Sequence, residues 1–418
     1  MLYHLFEYLK QNFDFPGVGL FRYISVRSIM SVIFALLISL TAGKYIIACL
    51  KRKQITDLGE KTGKNGKSGT PTMGGLMIIM SLLVSALLLC DLTNLYVQLL
   101  IVATLWLSII GFLDDMLKLR QKAGMTETRF VRFLGKLQRK DKDGMKGKLK
   151  VYGQVGLGLI VGLALYMSDK AVIVEMTQVP PGTEQTEQIE DLGYIRHVKS
   201  TKTTIPFLKD NLFDYAWLTP LKGEAGQKAG WLVYILVAIF IVTAVSNGTN
   251  LTDGRDGLAT GTVAIAGITL GILAYLSGNI IYARYLNIMY IPNSGEMVIF
   301  MAGMIGALIG FLWYNAYPAQ IFMGDVGSLT LGGIVAVFAL MIRVELLLII
   351  LCGVFLAESI SVIIQRLWYR HTRIRATKKM IAEGKYKQGD TVQGERVFVR
   401  APLHDHYIYN RKDVNGRI

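Results

Sequence analysis

The sequence predicts an all-α, polytopic integral membrane protein with nine transmembrane helices, and three observations carry that prediction. The 418 residues are 52% hydrophobic and only 18% charged, whereas soluble domains carry about 25% charged residues. Mean hydropathy is +0.42. The apolar residues fall into runs of about 17–22, the length needed to cross about 30 Å of hydrocarbon. A buried soluble core explains one or two such runs, not nine with polar punctuation.

In chain order, the first run covers 28–49 and follows a polar, aromatic stretch without a small-residue cleavage pattern, so it reads as a retained anchor. Runs two and three, 73–90 and 95–113, are separated only by 91–94. Run four is 151–167, after a basic loop at 114–150. Residues 168–229 form the one sizeable block outside the membrane on the far side, and AVIVEM, GYIRHVK and KTTIPFL within it are β-prone. A small strand-containing cap is expected there, with His197 as a solvated histidine. Runs five to eight cover 230–246, 257–276, 297–314 and 328–342; run nine, 346–368, follows a tight turn at Arg343–Glu345. The tail from 369 to 418 starts basic and amphipathic, suited to a membrane surface, and contains the polar motif APLHDHY. Two units are therefore expected: a transmembrane catalytic domain over 1–368, insert included, and a cytoplasmic tail over 369–418.

The net charge of +15 is compatible with nucleic acid, but its distribution argues against that. Segments 51–68, 114–150 and 369–418 hold 30 of the 45 Lys and Arg residues. All three fall on one side if the spans alternate, and the positive-inside rule makes that side the cytoplasm. Topology and attraction to anionic lipid account for the charge. Cys49, Cys90 and Cys352 lie in apolar runs and read as small buried residues, neither a disulfide frame nor a zinc site.

Every polar cluster with chemical promise falls in a loop on that same side. Asp114 and Asp115 end the third run, followed by Lys118, which is i+4 and i+3 from them if the helix continues. A helix end with an ion pair is the bland reading, but two carboxylates there oppose the macrodipole. One could act as base or nucleophile while the other holds a metal or a lysine. The loop NGTNLTDGRDG carries Asn250, Asp253 and Asp256. Its spacing fails the EF-hand pattern of alternate oxygen ligands and a distant Glu, so phosphate, metal or nucleotide ligands fit better; N-capping remains the alternative for Asp256. In WYNAYPAQIFMGDVGS, Asp325 sits between glycines, Phe322 can stack on a base and Asn315 precedes both; a capping turn is the competing reading. Lys67 and Thr72 lie in KSGTPTMGG, which fails the P-loop spacing because Lys61 stands where the first glycine belongs. Glycines, hydroxyls and a lysine still suit phosphate. His404 and His406 flank Asp405 and can contact phosphate or orient a carboxylate. Glu358, inside run nine, reads as a structural group away from the active face.

Together and in this order, KSGTPTMGG, LDDMLK, NLTDGRDGLA, YNAYPAQIFMGDVGSL and APLHDH resemble the phospho-N-acetylmuramoyl-pentapeptide transferase family, within the polyprenyl-phosphate N-acetylhexosamine-1-phosphate transferases. The resemblance runs from Lys67 to His406. It implies transfer of phospho-MurNAc-pentapeptide from UDP-MurNAc-pentapeptide to undecaprenyl phosphate, giving lipid I and UMP at the cytoplasmic face of the bacterial inner membrane. It also implies Mg2+ as cofactor, Asp114, Asp115 and Asp325 as catalytic carboxylates, and Asp325 as the metal ligand. Lys67, Thr72, Asn250, Asp253, Asp256, Asn315 and Phe322 then resemble the nucleotide-sugar pocket. Lys118 and Lys150 join as phosphate-neutralising groups, with His404 and His406 in the substrate site. The lipid bilayer and both substrates are the implied partners; nucleic acid is not, and the resemblance leaves room for a homodimer. Two departures stand out: the family's tail motif has three consecutive histidines where this chain has Asp405 in the middle, and the family has ten spans with both ends outside, so nine spans leave this C-terminus inside.

Two rivals remain. One is a sister enzyme moving GlcNAc-1-phosphate from UDP-GlcNAc, against which the Lys67–Gly75 stretch argues. The other is an ion-coupled transporter, in which carboxylates would sit near mid-membrane at broken helices instead of crowding one face. Because a phosphate monoester is mostly ionised near neutral pH (second pKa about 6), direct attack by the lipid phosphate is preferred over a covalent aspartyl intermediate.

Overall fold

A computed structural model describes residues 1–12, 18–52, 70–123, 145, 147–177, 186–189, 193–205, 211–383 and 391–408. Helices α1 (Leu2–Asn12), α2 (Ile24–Arg52), α3 (Gly75–Leu89), α4 (Leu95–Ala123) and α5 (Gly147–Met167) are followed by five short strands. After them come α6 (Gly223–Thr252), α7 (Leu258–Ser277), α8 (Ile280–Tyr285), α9 (Gly295–Asn315), α10 (Gly324–Met341), α11 (Leu348–Leu351) and α12 (Gly353–Ala382). Among the described residues seven helices are long and apolar enough to span a membrane, or eight with the bent Glu345–Leu351 and Gly353–Ala382 pair. α3, with 15 residues, is shorter than the about 20 usual for a span. The protein is a polytopic helical membrane protein, while the expected count of nine rests on counting that short helix and the broken one.

Close approach builds the centre. α2 buries Ser31, Ala35, Ser39 and Gly43 at four-residue intervals, a small-residue stripe of the kind that lets membrane helices touch. Facing it, α9 presents Gly303, Gly306 and Gly310: a Cβ on Gly303 would lie 2.7 Å from Ser31 Oγ, and one on Gly310 would lie 2.6 Å from Ser39 Cβ. The serines also donate to α9 carbonyls, Ser31 Oγ to Ile299 O at 2.9 Å and Ser39 Oγ to Ala307 O at 3.1 Å. α10 is enclosed from Asp325 through Met341, so its N-terminus is held from every side.

The two ends of the bundle sort as alternation requires. At one end the starts of α2 and α9 meet the end of α3: Arg27 pairs with Glu296 at 2.6 Å, and Arg27 Nη1 donates to Leu89 O. Tyr3 of α1 lies 4.3 Å below the Arg27 guanidinium. The insert caps the same end. β1 (Ile173–Thr177), β3 (Gly193–Val198) and β2 (Thr186–Ile189) form an antiparallel sheet in the order β1-β3-β2, and β4 (Lys202–Thr204) pairs with β5 (Leu212–Asp214). The strand-prone pieces became β1, β3 and β4; β2 arises from a polar stretch without an apolar signal. His197 is exposed. Thr204 N donates to Arg343 O and Tyr215 Oη to Glu345, tying the cap to the turn after α10. Since Arg27 is 2% exposed, Arg27→Ala leaves Glu296 without its counter-charge. The expected cost is about 3 kcal/mol, read as a lower midpoint in detergent-solubilised thermal unfolding, with Glu296→Ala costing about the same.

Five expectations need correction. α4 continues to Ala123, so Asp114 and Asp115 lie within a helix, not at its end, and the macrodipole no longer opposes them. Run nine is broken: its two parts bend by 78° at Cys352. α12 then runs unbroken from Gly353 to Ala382, so the boundary at 368/369 falls inside a helix. α6 begins at Gly223, within the segment assigned to the insert. Cys49 is exposed, while Cys90 and Cys352 are buried as expected.

Candidate active site

At the opposite end of the bundle from the cap, Asp114, Asp115 and Asp325 converge, with one oxygen of each lying within 4.8 Å of the others. The helical continuation of α4 sets the geometry. Residues i+3 and i+4 share a face, and Lys118 Nζ accordingly sits 2.8 Å from Asp114 Oδ2 and 3.7 Å from Asp115 Oδ1. The same ammonium reaches across to Asp325 Oδ1 at 2.8 Å. From α5, Lys150 Nζ lies 2.7 Å from Asp114 Oδ2 and 2.5 Å from Asp325 Oδ2. Asp114 Oδ1 accepts from Met145 N at 2.7 Å.

Asp115 does something different. Its oxygens accept from Asp325 N at 3.2 Å and Val326 N at 3.1 Å, which are unpaired amides of the first turn of α10. It caps a neighbouring helix across the gap. Gly324 makes room, with φ +74 and a Cβ position 2.7 Å from Asp115 Oδ2. The loop at 70–75 braces the same turn: Gly74 N donates to Phe322 O, Gly75 N to Met323 O and Phe322 N to Pro71 O. Met73 adopts φ 72 to permit it, a left-handed conformation uncommon for a side chain of that size. Thr72 is half-buried in this loop and Phe322 half-buried beside it. Lys67 lies outside the described residues.

The α6–α7 loop supplies the remaining side. Asp253, just past α6, faces Asp325 and Asp115. Burial raises its carboxyl well above the usual carboxylate range, the Asp325 and Asp115 charges add to the rise, and the Gly324 amide and Lys118 pull it back. Asn250 Nδ2 donates to Ser328 Oγ at 2.9 Å, locking the last turn of α6 to α10. Asn315 holds the framework: its Oδ1 accepts from Gly257 N and Thr260 Oγ1, each at 3.0 Å, and its amide donates to Ile321 O. Asp256 accepts from Ala319 N at 3.2 Å, so it clips the same two loops.

The tail motif divides. His404 stacks against Gly254, and its N and Nδ1 approach Glu358 at 3.2 and 3.3 Å. Glu358 is thus at the aspartate end, contrary to expectation, because the bend at Cys352 starts α12 low in the bundle. His406 turns into the tail itself, where Nδ1 accepts from Val399 N at 3.1 Å beside Phe398. Asp405 pairs with Arg400 at 3.5 Å. Sequence reasoning missed Ser328 and Gln154. Gln154, fully buried, donates to Ser246 Oγ and accepts from Asn247 Nδ2; an amide inside an apolar span was the available signal.

Asp114, Asp115 and Asp325 against two lysines leave one negative charge uncompensated, and the Asp253 carboxyl borders the same pocket. All-oxygen donors in that number suit a hard divalent cation. The pocket can also hold the oxygens of a phosphate against Lys118 and Lys150.

Residues 67–79 match the phospho-N-acetylmuramoyl-pentapeptide-transferase signature 1, and residues 192–343 match the glycosyl transferase family 4 model. A phospho-N-acetylmuramoyl-pentapeptide-transferase of Phocaeicola vulgatus is 51% identical over 411 residues, spanning 97% of this chain and 88% of that protein. The corresponding proteins of Bacteroides thetaiotaomicron and Flavobacterium psychrophilum are 50% and 48% identical, each over 97% of this chain, and are covered to 88% and 92%.

Proposed function

The chain belongs to the phospho-N-acetylmuramoyl-pentapeptide transferase family, and on that premise we propose that it transfers phospho-MurNAc-pentapeptide from UDP-MurNAc-pentapeptide to undecaprenyl phosphate. An oxygen of the lipid phosphate attacks the sugar-bearing phosphorus, the bond to the α-phosphate breaks, and UMP leaves with its electron pair. The products are UMP and the pyrophosphate-linked lipid. The site lies at the cytoplasmic face of a bacterial inner membrane, where the basic loops gather.

The observation that carries this reading is the convergence of three carboxylates and two lysines at one end of the bundle. Bringing two anionic phosphates together needs cations and positioning and little else. Lys118 and Lys150 can neutralise them once released from Asp114 and Asp325. Asp325, with Asp114, would hold Mg2+, which would supply positive charge for the reacting phosphates. Both Asp115 oxygens already accept backbone amides, which favours direct attack by the lipid phosphate over an aspartyl-phosphate route. Asp253 and Asp256 would contact the nucleotide sugar, and the half-buried Phe322 would stack on its base.

UMP release by the purified chain, supplied with undecaprenyl phosphate and Mg2+, is the test. UDP-MurNAc-pentapeptide is expected to support turnover and UDP-GlcNAc is not. Turnover with UDP-GlcNAc alone would replace the reading with that of the sister transferase.

A further inference from the structure

The five-arginine groove along the middle of α12 is unexplained by any step of the transfer. Residues 394–398 run along the outer face of α12 and are fastened to it: Glu395 N donates to Thr372 Oγ1 at 2.9 Å, and Val397 N and Phe398 N donate to Gln365 Oε1 at 3.1 and 2.9 Å. Gly394 packs on the Tyr369 carbonyl, with no room for a Cβ. The two segments enclose a groove of about 660 Å³ lined by Gln365, Arg366, Tyr369, Arg396 and Arg400. A second groove of about 670 Å³ shares Arg366 and continues past Arg370 and Arg373.

Four of these arginines, Arg366, Arg370, Arg373 and Arg396, are poorly compensated. Arg366, Arg370 and Arg373 stand at i, i+4 and i+7, one face of a helix, where like charges destabilise each other. Among the described residues none of them, nor Arg396, has a carboxylate partner within ion-pair distance; Arg400 leans on Asp405. Glu395 is the one acid between 391 and 400. Guanidinium forks grouped this way match phosphate oxygens.

Depth identifies which phosphate. Interleaved with the arginines, α12 exposes Ile363 at 55%, Leu367 at 64% and Trp368 at 46%. Exposed apolar side chains, Trp and Tyr side by side with arginines mark the boundary between hydrocarbon and the headgroup layer. The groove is also at the aspartate end of the bundle, since the same tail carries His404 onto Gly254.

We propose that the groove between α12 and residues 394–400 binds the headgroup phosphate of an anionic phospholipid in the leaflet that borders the aspartate cluster. The bound lipid offsets the arginine repulsion and fastens the tail that places His404. This goes beyond the transfer reaction and does not rest on it.

Native mass spectrometry of the full chain in detergent tests it, with phosphatidylglycerol and phosphatidylcholine added in turn. The wild type is expected to prefer phosphatidylglycerol by at least about fivefold, the value for one basic residue near an anionic surface. The double variant Arg366→Gln/Arg396→Gln is expected to lose that preference, while Arg375→Gln/Lys378→Gln, with equal charge loss outside the groove, keeps it. Equal loss in both pairs would reduce the effect to diffuse charge and overturn the site. So would absence of preference in the wild type, a result that needs no variant to fold. Displacement of the lipid by millimolar inorganic phosphate would overturn its assignment to a membrane lipid.

Discussion

Asp325→Asn is expected to lower UMP release by at least about a hundred- to a thousandfold, the scale of removing one preorganised electrostatic group from an active site. The carboxylate is the meeting point of the cluster: Lys118 binds one oxygen and Lys150 the other. An amide has the same shape but no charge, so it cannot hold either ammonium as firmly or ligate a divalent ion. Both lysines would fall back on Asp114, whose Oδ2 they already share, and would be held there instead of meeting the incoming phosphates. The backbone amide of residue 325 still reaches Asp115, so the fold is expected to survive. Asp169→Asn removes the same charge from a fully exposed position on the cap and is expected to leave the rate unchanged. Retention of more than a third of wild-type turnover by Asp325→Asn, at saturating magnesium, would refute the assignment of Asp325 to the reacting centre.

Much of this site was legible before any coordinates. Apolar run lengths predicted a polytopic helical membrane protein, and alternation of the runs put the polar motifs at one end, because both follow from the physics of hydrocarbon and depend only on local composition. The motifs then placed Asp114, Asp115, Lys118, Lys150 and Asp325 near one another. What composition could not show was division of labour. Asp114 and Asp115 are adjacent and chemically identical, yet one faces two lysines and the other caps a helix from elsewhere in the chain. Asn315 and Asp256, read as nucleotide-sugar ligands, also hold the framework, because an oxygen of each accepts from the neighbouring loop's backbone. The depth of Glu358 was misjudged because a hydropathy run carries no sign of a 78° bend. Long-range hydrogen bonds decide these outcomes, and a linear pattern contains none of them.

Gly75→Ala is expected to inactivate the protein as thoroughly as loss of a carboxylate, although residue 75 carries no chemistry. It opens α3, and a Cβ there would overlap the backbone nitrogen and Cα of Gly327 in the first turn of α10. Backbone cannot rotate aside as a side chain can, so the turn itself must move. That turn presents Asp325, and it is fixed from three directions: by Gly75 N to Met323 O at 2.8 Å, by the Asp115 cap, and by Gly111, where a Cβ would lie 2.5 Å from Asp325 O. Overpacking of this kind costs about 1–3 kcal/mol, and displacing a reacting group by about 1 Å can cost a hundredfold in rate. The expected result is a loss of at least about a hundredfold in UMP release with a modest drop in thermal midpoint. Gly111→Ala should do the same from the α4 side. Gly261→Ala, on α7, meets nothing within 4 Å and should be silent in both measurements. If Gly75→Ala kept wild-type turnover, the α10 N-terminus would be compliant, and the close packing of the α3, α4 and α10 backbones could not be what positions Asp325.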